Sequence, residues 1–305
     1  MEHCDVLIVG GGPAGSSLAL ALGKAGYDSI VLDRQAFPRD KVCAGWVTPP
    51  ILHSLQIDIN DYRRYLVMQP IQGFRIGIIG ASETETYARE HPVSYGIRRC
   101  EFDHYLLERS GARLMLGRTF SKIERKGSAW IVNDSITAPL VVGAGGHYCP
   151  VARYLGGSVG RGGPVVVAQE IEFKMSPEQC SACTVCPELP ELYFCEDYKG
   201  YGWIFRKGDY LNIGLGREDK GNLSGHVRDF CTYLRTLKKI PGDLPGEFHG
   251  HAYLLYEHSR RRITGDGMLL VGDAAGLACV HSGEGIRPAI ESGILAAEAI
   301  RKLQG

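Results

Sequence analysis

Apolar and polar positions in the first 33 residues follow a strand–helix–strand pattern. A short apolar run from Asp5 to Val9 predicts a buried strand, and the 3.6-residue repeat of apolar side chains from Ala14 to Ala25 predicts a helix. Gly26 follows as a helix C-cap, and Ile30 to Leu32 predicts a second strand. This order of elements indicates a βαβ unit, in which the two strands are parallel neighbours.

The rest of the chain predicts more strands, three more helices and two interleaved domains. Strands are expected within residues 73–88 and at 120–123, 129–132, 140–142 and 268–271, and helices at 99–110, 225–238 and 284–303. Residues 165–256 are rich in strand patterns. We therefore expect an α/β fold. A Rossmann-like nucleotide domain would be formed by residues 1–70, 97–163 and 262–305, and a mostly antiparallel β-sheet domain by residues 71–96 and 164–261.

Composition narrows the class of protein. The 305 residues carry no net charge and have a pI near 7.1, which gives no reason to expect a nucleic-acid partner. No apolar run is long enough for a transmembrane helix, and the N-terminus lacks the pattern of a signal peptide. In a chain of this size, ten cysteines read as thiols in a reducing compartment. We therefore expect a cytoplasmic protein.

A glycine motif joins the first strand to the first helix. Gly10, Gly12 and Gly15 form GxGxxG, in which the glycines allow a tight turn, close approach to a pyrophosphate and close helix packing. Asp33 ends the second strand, where a carboxylate binds a ribose hydroxyl. The motif predicts a dinucleotide site without separating NAD from FAD.

Two segments near the C-terminus indicate FAD. Gly272 and Asp273 follow a buried strand, where the Asp can bind a ribityl hydroxyl. Gly283, Gly285 and Ile286 open the last helix, whose N–H groups can stabilise negative charge on a reduced flavin ring.

Together with three further motifs, these segments resemble the geranylgeranyl-reductase-like FAD oxidoreductases, within the superfamily of the p-hydroxybenzoate hydroxylase fold. Residues 38–45 are similar to the family's PRxKxCGG segment, residues 99–103 to its R-x-x-F-D helix start, and residues 200–205 to its GYxWxFP strand. The resemblance implies an FAD-binding domain of this type and an interleaved substrate domain. The residues expected to bind FAD are Gly10, Gly12, Pro13, Ala14, Gly15, Asp33, Arg34, Lys41, Arg99, Gly272, Asp273, Gly283, Gly285 and Ile286.

The resemblance also implies catalytic candidates. It places Cys43 near the flavin ring, where a thiol can donate a proton, although Cys43 also fits a small buried core residue. Tyr201 and Trp203 share one face of a strand, as substrate contacts or as core residues. His147 and His281 adjoin flavin motifs but fit surface loops better, and the run of residues 260–262 fits a solvated arginine turn.

Cys180, Cys183, Cys186 and Cys195 have a spacing that zinc or iron–sulfur sites use. Four free cysteines are the simpler interpretation, so we predict no metal.

The function expected is reduction of an apolar, isoprenoid-like substrate by hydride transfer from FAD. The electron donor is NAD(P)H or a ferredoxin-like protein, and membrane contact is at most peripheral. Gly145 and Gly146 stand where relatives have Asp-Gly, which puts direct use of NADPH in doubt. The alternatives are a monooxygenase or halogenase, an electron-transfer flavoprotein, and a non-catalytic FAD-binding scaffold.

Overall fold

A computed structural model describes residues 1–156, 165–219, 221–240, 243–259 and 261–304. The strands, in chain order, are β1 (Glu2–His3), β2 (Val6–Val9), β3 (Ser29–Asp33), β4 (Trp46–Val47), β5 (Met68–Ile71), β6 (Gly73–Ile78), β7 (Thr84–Ala88), β8 (Ser94–Ile97), β9 (Arg113–Leu116), β10 (Ile123–Lys126), β11 (Ala129–Val132), β12 (Ile136–Ala138), β13 (Leu140–Gly143), β14 (Val165–Lys174), β15 (Glu191–Phe194), β16 (Gly200–Lys207), β17 (Tyr210–Arg217), β18 (His249–Leu254), β19 (Thr264–Gly265) and β20 (Met268–Leu270).

The helices are shorter in total than the strands. They are α1 (Pro13–Lys24), α2 (Pro49–Ser54), α3 (Ile59–Tyr62), α4 (Arg99–Glu108), α5 (Pro150–Tyr154), α6 (Pro177–Ala182), α7 (Leu223–Thr236) and α8 (Ile286–Gln304), with short 3₁₀ turns at Tyr256–His258 and Gly272–Ala274. Among the described helices, none has the length and hydropathy needed to cross a membrane.

The described chain divides into two compact units. The first contains Met1–Arg39, Phe102–Pro164 and Tyr253–Gly305, and the second contains Asp40–Glu101 and Val165–Ala252. Residues 40–70 and 97–101, which we expected in the nucleotide domain, group with the second unit, and residues 253–261 group with the first. The expected boundary at residues 163 and 164 lies outside the described residues. The functional role of each unit stays a prediction.

The first unit is built around a six-stranded sheet in the order β19–β20–β13–β2–β3–β9. Its strands are parallel except for β19. All four residues of β2 are buried, as expected for a parallel strand covered on both faces. Val6 and Ile8 belong to one core cluster with side chains of α1 and α8, and Leu7 and Val9 to another with the four-stranded sheet β1–β12–β11–β10.

One predicted strand of this unit differs in the structure. Instead of pairing from Phe120, β10 begins at Ile123. The Asn133 side-chain oxygen accepts hydrogen bonds from the backbone of Ser121 and Lys122, so a side chain, rather than a strand partner, satisfies this backbone.

The second unit contains a seven-stranded sheet in the order β18–β14–β17–β16–β15–β6–β7, and a three-stranded sheet β4–β8–β5. The pairs β14–β17, β17–β16, β16–β15 and β6–β7 are antiparallel. The pair β15–β6 is parallel. One face of the large sheet packs against α7. A Cβ at Gly202 would lie 2.6 Å from the Phe230 ring, so the absence of a side chain there allows α7 to approach the sheet.

Candidate functional site

The turn between β2 and α1 requires two of its glycines. Gly10 has a φ of 118°, and a Cβ there would overlap the Ala144 carbonyl. A Cβ at Gly15 would overlap the carbonyl oxygen of Gly10. The helix begins at Pro13. Its first N–H groups therefore point toward the turn, which is the arrangement that binds phosphate at a helix N-terminus.

The surroundings of Gly12 differ from those of Gly10 and Gly15. Among the described atoms, a Cβ at Gly12 would meet just the Arg39 guanidinium, with Nη2 3.4 Å away. The backbone here is therefore not constrained by protein packing. Space beside a helix N-terminus fits the pyrophosphate of a dinucleotide.

Asp33 lies at the end of β3, beside the same turn. One carboxylate oxygen accepts a hydrogen bond from Gly11 N at 2.8 Å, and the other accepts from Gln35 N at 2.9 Å. Both contacts hold the carboxylate next to the glycine turn, as recognition of a ribose requires. The neighbouring Arg34 is exposed.

Arg39 is a candidate that the sequence analysis did not select. Its guanidinium stacks over the Phe37 ring at 4.6 Å, and Nη1 lies 3.1 Å from the fully buried Asp103 carboxylate. This ion pair holds a positive charge beside Gly12. Residues 39 and 103 both lie in the quoted family motifs, but the sequence does not show that they contact each other.

The C-terminal motif supplies a second group of polar and glycine residues to the first unit. Gly272 has a φ of 60°, and its N–H donates to Ser292 Oγ on α8 at 2.9 Å. A Cβ at Gly285 would lie 3.3 Å from the Asp273 carboxylate, so this carboxylate adjoins the start of α8 at Ile286. Gly283 has a φ of 68°, which favours glycine at the loop before the helix. The expected ribityl and ring-binding elements therefore lie side by side.

Arg261 fixes the turn that carries Asp273. Its guanidinium donates to the carbonyl oxygens of Asp273, Ala274 and His147, at 3.0, 2.9 and 2.8 Å. The expectation of a solvated arginine turn is therefore wrong for Arg261, while Arg262 is exposed and Arg260 lies outside the described residues.

The two histidines near the flavin motifs differ in burial. His147 is buried, with Nδ1 3.4 Å from the Arg261 guanidinium, so the surface-loop interpretation is wrong for this residue. His281 is exposed.

In the second unit, the sheet face opposite α7 carries the aromatic candidates. Strand register places Tyr201, Trp203 and Phe205 on one face of β16. The Tyr201 and Trp203 rings lie 6.0 Å apart, and Trp46 packs on Phe205 at 5.1 Å. Further apolar side chains join this aromatic face from neighbouring segments, namely Ala44, Phe74, Ala168 and Leu192.

Cys43 lies in the segment that covers this aromatic face. Its N–H donates to Glu170 Oε2 at 2.6 Å, its carbonyl accepts from Asn212 Nδ2 at 3.4 Å, and its Sγ accepts from Gly45 N at 3.4 Å. Burial, together with the nearby Cys43, raises the pKa of Tyr201, whose phenol therefore keeps its proton at neutral pH. The structure thus brings Cys43, Tyr201 and Trp203 together.

The strands next to Cys43 also carry buried charged side chains. Lys207 Nζ donates to Glu172 Oε2 at 2.7 Å and to the Ile97 carbonyl at 2.9 Å. Burial would raise the pKa of Glu172, but the charge and hydrogen bond of Lys207, with the Asn212 hydrogen bond and the Arg98 charge, outweigh it and leave this pKa below its usual value. Burial dominates at Glu170 and raises its pKa to about 8. The alternation of acidic residues in β14 is a signal that the sequence analysis did not use.

Lys41 and Arg99, both predicted to bind FAD, belong to the second unit. Arg99 is buried at the first position of α4. Lys41 belongs to the second unit, with Nζ 2.9 Å from His251 Nε2.

The cysteine-rich segment shows no arrangement for metal binding. Across the described ranges, no three His, Cys, Asp or Glu side chains lie close enough together to hold an ion. Cys180 Sγ is 3.8 Å from Asp209, Cys186 Sγ is 3.3 Å from Glu188, and Cys195 is buried.

Comparisons with known proteins agree with these features. A family model described as an FAD binding domain matches residues 3–56. The chain is 30% identical over 324 residues to the menaquinone reductase of Mycobacterium tuberculosis, covering 98% of this chain and 77% of the relative. It is also 30% identical to the chloroplastic geranylgeranyl diphosphate reductase of Arabidopsis thaliana, covering 97% of this chain and 65% of the relative.

The fold agrees as well. A geranylgeranyl bacteriochlorophyll reductase-like protein from Thermoplasma acidophilum superimposes with a TM-score of 0.82 at 23% identity, covering 99% of this chain and 80% of that one. The glycine turn, Asp33 and the Asp273–Gly285 pair fit FAD, and both of these sequence relatives are named reductases. The chain belongs to the geranylgeranyl-reductase-like family of FAD-dependent oxidoreductases, within the p-hydroxybenzoate hydroxylase-fold superfamily.

Proposed function

We propose that this enzyme reduces a carbon–carbon double bond in an apolar, isoprenoid substrate. The first unit binds FAD, and the second unit binds the substrate. The observation that carries the proposal is the aromatic face of the seven-stranded sheet, which adjoins Cys43.

This face suits a hydrocarbon chain. Phe74, Leu192 and Tyr201 are partly buried rather than closed off in the core. Trp203 is buried beneath them and is oriented by a hydrogen bond from Nε1 to Asn212 Oδ1 at 2.7 Å. An apolar ligand gains free energy by covering such side chains. Two relatives are named for reductions involving menaquinone and geranylgeranyl diphosphate, which are both isoprenoid compounds.

The chemistry requires a hydride and a proton. When bound, reduced FAD would supply the hydride, and the π bond would break as two C–H bonds form, one from the hydride and one from the proton. Two side chains next to the aromatic face carry a hydrogen on a heteroatom: the Tyr201 phenol, which burial keeps protonated by raising its pKa, and the free cysteine Cys43. We propose Cys43 as the proton donor and Tyr201 and Trp203 as the wall that orients the double bond.

The electron donor in this proposal is a ferredoxin-like protein, with NAD(P)H as the alternative. The Gly145–Gly146 pair in place of Asp-Gly favours the protein donor. The proposed location is the cytoplasm, with at most peripheral membrane contact.

The test is an anaerobic turnover assay on the FAD-loaded protein. Protein reduced with dithionite is mixed with geranylgeranyl diphosphate or a menaquinone, and products are identified by mass spectrometry. The expected product is heavier than the substrate by two hydrogens per reduced bond. The Trp203→Ala variant should raise KM, whereas the Cys43→Ser variant should lower kcat.

Other outcomes would point elsewhere. A product that gains an oxygen atom when O₂ is admitted would favour a monooxygenase. Flavin reoxidation by a quinone without saturation of its isoprenoid chain would favour electron transfer. Rapid reduction by NADPH alone would overturn the preference for a protein donor.

A further inference from the structure

Two side chains of the rigid sheet hold both polar groups of the Cys43 backbone. Glu170 Oε2 accepts from Cys43 N at 2.6 Å, and Asn212 Nδ2 donates to Cys43 O at 3.4 Å. Glu170 lies opposite Gly214 in the β14–β17 ladder, and Asn212 lies two residues from Gly214. We call Glu170 and Asn212 the Cys43 clamp.

The clamp is itself held in place. Asn212 is fully buried, its Oδ1 accepts from Trp203 Nε1 at 2.7 Å, and its Nδ2 also donates to Glu172 Oε2 at 3.1 Å. Gly214 leaves room for the Trp203 indole, because a Cβ at this position would overlap that ring. Side chains fixed by packing and hydrogen bonds can hold a reactive group more accurately than a loop alone.

We propose that Glu170 is a positioning residue for Cys43, holding the thiol in the orientation from which it donates its proton to the substrate. The catalytic part of this inference rests on the proposed function. The clamp can be tested without it.

The charge on Glu170 adds a second effect. The groups facing it are Glu172 on the same strand, Lys207 on β16, Asn212 on β17 and Cys43. Burial, with the Glu172 charge, raises the pKa of Glu170 to about 8, despite the opposing effects of Lys207, the Cys43 N–H and the Asn212 side chain. The carboxyl is therefore neutral at pH 7 and becomes negative as the pH rises above 8. Negative charge beside Cys43 then opposes the negative charge that alkylation requires on its sulfur.

The test measures alkylation of Cys43 by iodoacetamide between pH 6 and 10 on the FAD-loaded protein, followed by peptide mass spectrometry. In the wild type, the rate should rise less steeply above about pH 8 than below it. The Glu170→Gln variant keeps an oxygen acceptor but cannot ionise, so its rate should continue to rise and exceed the wild-type rate about threefold or more at pH 9.

Turnover provides the second readout. The Glu170→Ala variant should lower kcat about tenfold or more with little change in KM, because it misplaces the thiol and leaves the aromatic face intact. Glu170→Gln should restore most of the lost kcat at pH 7.

Glu191→Gln is the matched control. Glu191 is also buried in this sheet but pairs with Lys239 and Arg75, at 2.8 and 3.1 Å, instead of contacting Cys43. The Glu191→Gln variant should therefore have the same pH profile of Cys43 alkylation as the wild type. Identical wild-type and Glu170→Gln profiles would show that the Glu170 charge does not act on Cys43. A Glu170→Ala variant that keeps the wild-type kcat would overturn the positioning role. Absence of isoprenoid reduction together with distinct profiles would overturn the proposed function and keep the clamp.

Discussion

Gly10 and Gly12 lie two residues apart in one turn, but a methyl group would meet very different surroundings at the two positions. At Gly10 it would overlap the Ala144 carbonyl in a backbone with positive φ. At Gly12 it would point to the space beside the start of α1. The fold requires the first glycine, and we predict that the ligand requires the second.

We expect Gly10→Ala to lower the free energy of unfolding by about 2 kcal/mol or more, because a Cβ at this φ is strained and overlaps backbone. Gly12→Ala should leave the stability of the FAD-free protein unchanged within about 0.5 kcal/mol and weaken FAD binding about tenfold. Chemical denaturation and FAD fluorescence titration measure the two effects. Equal FAD affinity in Gly12→Ala and the wild type would contradict the assignment.

Glu170 should also make stability depend on pH. Its pKa rises from 4.5 in the unfolded chain to about 8 in the fold, so the folded state binds more protons between these values. Its contribution to the free energy of unfolding is therefore largest below pH 4.5 and falls as the pH rises toward 8. As the pH rises from 5 to 8, the free energy of unfolding of Glu170→Gln should therefore increase by about 1 to 3 kcal/mol relative to that of the wild type.

Denaturant unfolding at several pH values checks this dependence. The exposed Glu247→Gln is the matched control and should follow the wild-type curve. If the free energies of unfolding of Glu170→Gln and the wild type differed by the same amount at every pH, the Glu170 carboxyl would not titrate in this range.

At the scale of elements, Arg261 connects pieces of the first unit that are far apart in the chain. Three of its hydrogen bonds go to carbonyls of the segment before α5 and of the 3₁₀ turn that carries Asp273. Hydrogen bonds from a charged donor to partly buried carbonyls contribute more than neutral ones. The position of Asp273 therefore depends on a residue outside both glycine motifs.

Arg261→Ala should lower the free energy of unfolding by about 2 kcal/mol and weaken FAD binding, because it releases the Asp273 turn. The neighbouring Arg262→Ala is the control: this side chain is exposed, and its Nε donates to the Thr264 carbonyl. Thermal melts should give a lower Tm, and FAD titrations a higher Kd, for Arg261→Ala than for Arg262→Ala. The assignment would be wrong if both variants bound FAD equally well.

At the scale of the whole molecule, FAD would contact turns from the beginning and the end of the chain. Gly10–Gly15 and Gly272–Gly285 both belong to the first unit, although about 260 residues separate them. A ligand that binds both turns in the folded state alone stabilises the fold by mass action. The increase in stability on adding the ligand therefore measures binding to the site without an activity assay.

Adding FAD at 100 times its Kd should stabilise the FAD-free protein by about 2.7 kcal/mol, read as an increase in Tm. NAD at the same concentration should stabilise it less, because NAD lacks the flavin ring and ribityl chain expected to bind Asp273 and the start of α8. Equal stabilisation by both ligands would remove the C-terminal motif from the site.

Local patterns predicted the parts of the fold and site that depend on neighbouring residues. The βαβ unit around Gly10–Gly15 matches β2, α1 and β3, since strand, turn and helix preferences act over a few residues. The long C-terminal helix was expected at 284–303 and begins at Ile286. Segments with weak periodicity, such as residues 46–71, contain short elements that the sequence analysis did not predict.

The family and its FAD cofactor were determined by the sequence alone, because the glycine turns and strand-end aspartates carry their signals in fixed local spacing. The tertiary structure decided which residues meet across the chain. Arg39 with Asp103, Arg261 with the Asp273 turn, and Glu170 with Cys43 are pairs 64, 12 and 127 positions apart. Such contacts depend on burial and strand order, and sequence spacing does not encode them. Burial also gives Glu170 its proton at neutral pH, a property that no local pattern of residues carries.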